Sequence, residues 1–162
     1  MAMFTSAVPS WTTAATAEGA IFTANNHHSL RTAAATNAAK VNEVFVTGEA
    51  TSSTVVTAGV RRMTTNAATP TNRVPAPMNP YSVLSVFQGY ITATTQPTGA
   101  ALTTIQHILQ LGLNAFGGVV RWVAIPGGEW WLITATANNS EAGLVALAGV
   151  AALSTHYVVE EI

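Results

Sequence analysis

Short segments of alternating apolar and polar residues, separated by turns rich in glycine, proline and asparagine, recur along this chain of 162 residues. In residues 41–49, Val44 and Val46 fall on one face of an extended strand and Phe45 falls on the other. An alternation with a period of two residues is typical of a β-strand whose two faces meet different surroundings. The sequence therefore predicts an all-β fold, namely an antiparallel β-sandwich or jelly-roll-like domain of about eight strands.

The predicted strands continue to the last residue, and 20–24 is a further short candidate. Residues 29–39 fit either a short helix or an extended stretch. For 103–114 we favour a strand over a helix, because Gly112 interrupts the segment and its neighbours are strands. The predicted strands at 41–49 and 54–65 are expected to pair as an antiparallel hairpin. The predicted strands cover 41–49, 54–65, 81–95, 103–114, 119–125, 130–137, 144–147 and 153–162.

Two segments do not follow the strand pattern. Residues 1–19 are rich in threonine, alanine and serine, a composition typical of disorder, yet they include the apolar residues Phe4 and Trp11. We expect an N-terminal arm that becomes ordered against a neighbouring subunit, followed by a single β-sandwich domain over 20–162. Within that domain, residues 66–80 contain four prolines and should form an extended loop. A loop of this length is more often functional or interfacial than idle.

Charge is scarce in this chain. Charged residues make up 8% of the sequence, with no aspartate and a single lysine, whereas alanine and threonine number 29 and 24. A typical soluble domain is about 25% charged. Because a net charge near zero promotes association, we expect much of the surface to be covered by copies of the chain or by a larger assembly.

Composition also excludes several classes of protein. With no cysteine, the chain has no disulfide, no thiol nucleophile and no cysteine-based zinc site. The near-neutral balance of charge argues against a nucleic-acid partner and against an anionic membrane surface. No segment resembles a signal peptide or a membrane span. We therefore expect a protein that is made and kept in the cytoplasm, or carried out of the cell inside a particle.

The histidines do not indicate a catalytic or metal site. His27 and His28, with Glu18 nearby, suggest metal ligands, but adjacent residues on a strand point to opposite faces, so a surface turn is favoured. His107 and His156 fall in predicted strands, and without aspartate a serine–histidine–acid triad would need glutamate. Neither a Gly-x-Ser-x-Gly turn nor a phosphate-binding loop is present. We expect no catalytic residue, no metal and no cofactor.

Three tryptophans surround the predicted turn at 126–128. Trp122, Trp130 and Trp131 suggest either an aromatic platform for a sugar or a packed hairpin. Alternation sends Trp130 and Trp131 to opposite faces, so both cannot belong to one platform, and the packed hairpin is favoured. Trp131→Ala is expected to destabilise the fold by about 3–5 kcal/mol if that indole is buried.

Arginine provides most of the positive charge and is expected to have assigned partners, because arginine suits interface ion pairs better than lysine does. Ordinary solvated charge is the alternative. The arginines concerned are Arg61, Arg62, Arg73 and Arg121. The candidate acceptors, on this chain or on another subunit, are Glu43, Glu49, Glu160 and Glu161.

Residues 116–124 (Phe-Gly-Gly-Val-Val-Arg-Trp-Val-Ala), Pro126-Gly127 and the ending 154–162 (Ser-Thr-His-Tyr-Val-Val-Glu-Glu-Ile) resemble small structural proteins of tailed bacteriophages, above all head decoration or cement proteins. The resemblance implies a compact, commonly oligomeric β domain without catalytic residues. Such a domain sits on the major capsid protein lattice, on the outer surface of a virion assembled in the host cytoplasm, and braces the shell.

A trimer would suit a three-fold position of the capsid. Another phage component, such as a head fibre or tail part, and a lectin-like carbohydrate-binding module are the alternatives. An enzyme is disfavoured, because acids and bases are scarce. The residues predicted at protein interfaces are Phe4, Trp11, Arg61, Arg62, Arg73, Pro75 and Pro77.

Overall fold

The computed structural model describes residues 2–12, 27–32, 38–62, 71–81, 85, 87–91, 107–132 and 142–162. In these ranges every regular element is a β-strand, which confirms the all-β class, although the strands outnumber the eight or so expected. The strands are β1 (Ala2–Thr12), β2 (His27–Thr32), β3 (Ala39–Glu49), β4 (Val55–Arg62), β5 (Thr71–Arg73), β6 (Ala76–Pro77), β7 (Phe87–Ile91), β8 (His107–Asn114), β9 (Phe116–Val123), β10 (Trp130–Leu132), β11 (Ala142–Ala148) and β12 (Ala152–Glu161).

The strands form two antiparallel sheets that pack as a sandwich. Sheet A has the order β10-β3-β12-β1-β6, and β9 also pairs with β3, alongside β10. Sheet B has the order β5-β7-β2-β11-β4-β8. Strand β12 lies between β3 and β1, so the last described strand is a central strand of sheet A.

Alternation along the strands decides which side chains form the core between the sheets. In β3 and β12, Val44, Val46, Tyr157 and Val159 are fully buried, whereas the residues between them are at least partly exposed. Such inward–outward alternation is what a sandwich with one dry face per sheet requires. The faces predicted for residues 41–49 are therefore confirmed.

The predicted hairpin between 41–49 and 54–65 is wrong. Strand β3 belongs to sheet A, whereas β4 belongs to sheet B, where it pairs with β11 and β8. The chain crosses between the sheets after β3, and the N–H of Ala50 donates to the carbonyl of Ala115 at 2.9 Å. Alternation identifies a strand but not its neighbour, because the partner is chosen by long-range packing.

The first half of the predicted arm is a strand of the sandwich itself. Strand β1 pairs with β12 over most of its length and with β6 on its other side. Phe4 is fully buried and meets Phe87 edge-to-face, with 6.0 Å between the ring centroids. Phe4 is thus a core residue and not an interface residue, because its strand turns it into the space between the sheets. Trp11 pairs with Leu153 in the backbone register, and residues 13–26 lie outside the described part of the chain.

The described part of the proline-rich loop contains two short strands. Strand β5 pairs with β7 at the edge of sheet B, and β6 pairs with β1 at the edge of sheet A. The segment therefore bridges the two sheets on one side of the sandwich. Pro75, at the bridge, is buried, which corrects its prediction as an interface residue, whereas Arg73 and Pro77 are exposed.

The ambiguous segments are extended where they are described. Residues 107–114 form β8, as favoured from the sequence, and residues 29–32 belong to β2, while 33–37 fall outside the described ranges. His27 and His28 begin β2, so the turn predicted there is wrong. The candidate strand 20–24 also falls outside those ranges. In the part of the chain that is described, no helix is long and apolar enough to cross a membrane.

Candidate interaction surfaces

A polar cluster lies in the core between the two sheets. His28 is fully buried, with its Nε2 atom 3.3 Å from Ser6 Oγ and its Nδ1 atom 2.5 Å from Thr155 Oγ1. The Tyr157 hydroxyl donates to the His28 carbonyl at 2.8 Å and accepts from the N–H of Leu144 at 3.0 Å. The two hydroxyls beside the ring can satisfy a neutral imidazole in either tautomer, because each hydroxyl can donate or accept.

This cluster links the two sheets by hydrogen bonds inside the core. Burial raises the pKa of Tyr157 well above its usual range, so the phenol stays protonated and keeps its hydrogen bonds. The centroids of the His28 and Tyr157 rings lie 4.6 Å apart. Both side chains are fully buried among the core residues. The surface location predicted for His28 is wrong, since the alternation of β2 turns its side chain inward.

The outward face of sheet A carries a row of side chains that crosses four strands. The register aligns Ala7, His156, Phe45 and Arg121 on β1, β12, β3 and β9. A groove of about 260 Å³ is lined by Ala7, His156 and Phe45 of this row but not by Arg121. A neighbouring groove of about 210 Å³ lies over His156, Phe45 and Glu43. Both grooves are open and mainly apolar, a surface suited to contact with another macromolecule.

Arg121 on this face has its acceptor on the same chain. Its Nε donates to Oε1 of Glu43 at 2.5 Å and its Nη2 donates to Oε2 at 3.1 Å, and the guanidinium carbon lies 5.7 Å from the centre of the Phe45 ring. The hydrogen bonds from Arg121 hold the pKa of Glu43 below its ordinary value and raise the pKa of Arg121. The forked geometry fixes the guanidinium in place over the sheet.

A second ion pair joins β3 and β12. Lys40 Nζ lies 3.0 Å from Oε2 of Glu160, which also accepts from Nδ2 of Asn42 at 3.3 Å. Hydrogen bonding from Lys40, with a smaller contribution from Asn42, holds the pKa of Glu160 below its ordinary value. Two of the four glutamates predicted as acceptors therefore serve cations of their own chain.

The tryptophans separate as the alternation predicted, but the core residue is Trp130. Trp130 is 4% exposed and meets Tyr157 edge-to-face at 6.1 Å, while Trp131 is 47% exposed. Trp122 is partly buried against the core. The expectation of a costly Trp131 truncation is thus corrected, because this indole lies on the outward face of sheet A. Trp130 Nε1 is buried and has no hydrogen-bond partner, so this indole contributes by packing.

Among the described residues, most of the exposed large apolar side chains group at two places, and Val55, Val150 and Ile162 are exposed apart from these groups. The first, which we name the bridge patch, follows the connection between the sheets and consists of Val74, Met78 and Tyr81, of which Tyr81 is 93% exposed. The second, the edge patch, lies along β9 and the turn after it. The edge patch consists of Phe116, Val119, Val123, Ile125 and Trp131.

The structure brings only some of the predicted interface residues together. Arg73 and Pro77 are exposed beside the bridge patch. Arg61 and Arg62 end β4, and three strands of sheet B separate β4 from β5, which carries Arg73. The edge patch was not predicted, although the alternation of Val119 and Val123 around Arg121 could have indicated it.

In the described residues, no group of three or more histidine, cysteine, aspartate or glutamate side chains could hold a metal ion. A scan against models of known protein families finds no match to this chain. A search of the curated proteins finds none either.

Proposed function

We propose that this chain is a non-enzymatic structural protein of a virion, a decoration or cement protein that binds the major capsid protein lattice of a tailed-bacteriophage head. One observation carries the proposal. A chain with 8% charged residues exposes large apolar side chains in two separate patches of a β-sandwich. Apolar surface of this kind is typical of interaction sites.

The bridge patch is the surface that we assign to the capsid. Its side chains stand on a connection tied to both sheets, since β5 pairs with β7 and β6 pairs with β1. The N–H of Met78 also donates to the carbonyl of Met3 at 2.9 Å. A contact made by such a segment loses little conformational entropy on binding, because its backbone is already fixed.

Sheet A is suited to resisting tension between contacts. Its central strands are linked by long antiparallel ladders, β1 with β12 and β12 with β3. Moderate affinity per copy would suffice on a capsid, where many copies act together and slow dissociation stabilises the particle. Placement on the outer surface of the head, after synthesis in the host cytoplasm, belongs to the same proposal.

The test is a binding titration against undecorated capsid shells, followed by sedimentation. We expect saturable co-sedimentation at a fixed number of copies per capsomer. Tyr81→Ser should weaken it at least about tenfold, since hot-spot aromatics contribute about 2 kcal/mol or more. Val55→Ser, at an exposed residue outside both patches, is the matched control. A folded protein that fails to bind shells would overturn the capsid role, and binding to isolated tails or fibres would move it to another phage component.

One observation favours a second candidate, a lectin-like carbohydrate-binding module. Trp131 is exposed and pairs in the register with Lys40, so an indole and a cation stand side by side on sheet A. Sugars stack on such indoles. Binding of a glycan that is lost in Trp131→Ala, with the melting temperature unchanged, would support this candidate. Trp130 is excluded from such a site because it is buried.

A further inference from the structure

Strand β9 lies at an open edge of sheet A. One side of β9 pairs with β3, and no strand in the described ranges pairs with its other side. The strand is eight residues long, and Arg121 is its one charged residue. Natural sheets guard such edges with charged residues, proline, bulges or very short strands, whereas β9 has one charged residue and a register irregularity only near its Phe116 end. Within the described structure, the backbone groups on the outer side of β9 have no strand partner and can accept another strand.

Among the described strands, sheet B also ends on this side of the sandwich. Strand β8 forms this edge of sheet B and is joined to β9 by Ala115 alone. Residues 108–114 carry no charge, and Gln110, Gly112 and Asn114 are exposed along them. A partner that approaches this side therefore meets the uncharged residues 108–114 in sheet B and, on β9 of sheet A, a single charged residue, Arg121, which is paired with Glu43.

We propose that this side of the sandwich is an interface between two copies of the chain, with β9 of one copy pairing antiparallel to β9 of the other about a two-fold axis. Sheet A then continues from one copy into the next. Two-fold contacts use one surface on both partners and are the commonest symmetric assembly. The proposal goes beyond capsid binding and does not depend on it.

The sequence of β9 selects the register of this pairing. Outward-facing residues must oppose outward-facing ones, so the axis passes through a single residue. An axis at Arg121 would place two guanidinium groups opposite each other. An axis at Val119 would draw Gly117 into the ladder, where its φ of 71° is unsuited to regular pairing. An axis at Val120 keeps the two guanidinium groups apart and sets Val119 opposite Arg121 of the second copy. It allows a ladder over residues 118–122 that leaves Gly117 outside, whereas an axis at Val119 without Gly117 would leave only residues 118–120.

The charge on β9 does not oppose the approach of a second copy. Arg121 is held by Glu43 of its own chain, so the edge is close to neutral. Val119 and Val123 are 58% and 52% exposed on the outward face. Val120 and Trp122 pack against the core on the inward face but are only partly buried. An added strand would cover both sets of side chains.

The expected particle is a dimer, although the sequence resemblance suggested a trimer. A strand cannot pair with itself around a three-fold axis, because antiparallel self-pairing requires two-fold symmetry. Sedimentation equilibrium of the protein without capsids should therefore give a mass that rises with concentration towards twice 16.8 kDa. A trimer, or a monomer at every concentration, would overturn the proposal.

Substitutions at Val119 test the register. Val119→Lys sets a like charge opposite Arg121 of the second copy, and the axis repeats that contact, so the dissociation constant should rise by about tenfold or more. Val119→Glu places an opposite charge there and should leave the dimer intact or tighten it. Val150→Lys, at an exposed residue between β11 and β12, is the control for added charge and should have no effect. Equal effects of the two Val119 variants would refute the register.

A cross-link tests the position of the axis directly. The chain contains no cysteine, so Val120→Cys introduces one thiol per copy. With the axis at Val120, the two thiols face each other within reach of a disulfide, and mild oxidation should give a covalent dimer. Ile125→Cys, exposed in the turn after β9, measures random cross-linking. A Val120→Cys yield no higher than that of Ile125→Cys, with both variants folded by circular dichroism, contradicts the proposal. These dimer experiments use the protein without capsids, so their outcome does not depend on whether the protein binds capsid shells.

Discussion

At the scale of single residues, Gly48 shows how closely the two sheets approach where the chain crosses between them. A β-carbon at Gly48 would overlap the main chain of Ala115, whereas one at Gly112 would meet open space. We expect Gly48→Ala to lower the free energy of unfolding by about 1–3 kcal/mol, because the obstacle is backbone and cannot rotate away. Urea denaturation of this variant and of the control Gly112→Ala measures the difference. Equal stabilities would contradict the packing described at Ala115.

The adjacent indoles on β10 should respond in opposite ways to truncation. Trp130→Ala removes a buried ring that packs on Tyr157, and we expect a loss of about 3–5 kcal/mol. Trp131→Ala removes an exposed ring, and we expect a change within about 0.5 kcal/mol. Thermal unfolding of both variants decides between this arrangement and its reverse, in which Trp131 would be the buried ring.

Alternation alone predicted that Trp130 and Trp131 lie on opposite faces of the strand, but it did not predict which of them faces inward. That choice depends on the register of β10 against β3, which pairs Trp130 with the buried Val41. His28 illustrates the same limit. The buried imidazole of His28 is satisfied by the hydroxyls of Ser6 on β1 and Thr155 on β12, and both residues are remote from His28 in the sequence. Contacts of this kind have no local signal, because each partner satisfies the other only after the sheets have formed.

At the scale of elements, β1 is required by both sheets. Deleting residues 1–12 would leave one side of β12 unpaired and would remove Phe4 from between the sheets. We therefore expect the deletion to abolish cooperative unfolding, which would not follow if residues 1–19 were only an arm outside the β-sandwich domain, as the sequence suggested. Circular dichroism through a thermal ramp measures this.

The control for that deletion keeps β1 and changes its outward face. Ala7→Ser replaces an exposed residue on β1 and should preserve the thermal transition. A truncated protein that still melts cooperatively at the same temperature would show that β1 is dispensable.

The strands themselves were largely predictable, and their neighbours were not. The segments predicted at 41–49 and 153–162 match β3 (Ala39–Glu49) and β12 (Ala152–Glu161) closely, because each has one buried face. The N-terminal segment was missed, since its threonine- and alanine-rich sequence carries weak alternation around Phe4. Its order depends on pairing with β12, more than a hundred residues later in the sequence.

At the scale of the whole molecule, two ion pairs make stability depend on pH. The pKa values of Glu43 and Glu160 lie below the ordinary value of 4.5 in the folded protein. A carboxyl with a lowered pKa contributes stability that is fully present above its unfolded pKa and is lost as the pH falls through its folded pKa. We therefore expect stability to fall as the pH drops below about 4.5, by less than about 1 kcal/mol for each of these partly exposed pairs.

The variant Glu43→Gln/Glu160→Gln should show a weaker dependence in that range, measured by urea denaturation at several pH values. Glu49→Gln removes an exposed carboxylate from the same strand as Glu43 and serves as the control. A double variant with the same pH dependence as the parent protein would show that the two pairs do not contribute.

Composition anticipated a protein with apolar, weakly charged surface, and the bridge and edge patches agree with it. It could not place those patches. Tyr81 is exposed in the turn that follows β6, and Val119 is exposed on β9, which has no described strand on its outer side. The position of both residues depends on the order of the strands in the two sheets, and that order is set by contacts between residues distant in the sequence.

The pairing of β1 with β12 also governs the order of events during synthesis. Strand β1 leaves the ribosome first among the described strands, and its principal partner leaves last. Until then β3 also lacks β12, so sheet A cannot close before β12 has left the ribosome. A fold dominated by such distant contacts forms slowly, and its unpaired strands are exposed to aggregation meanwhile. Each newly made copy must therefore complete its own sheet before its open edge can safely meet another.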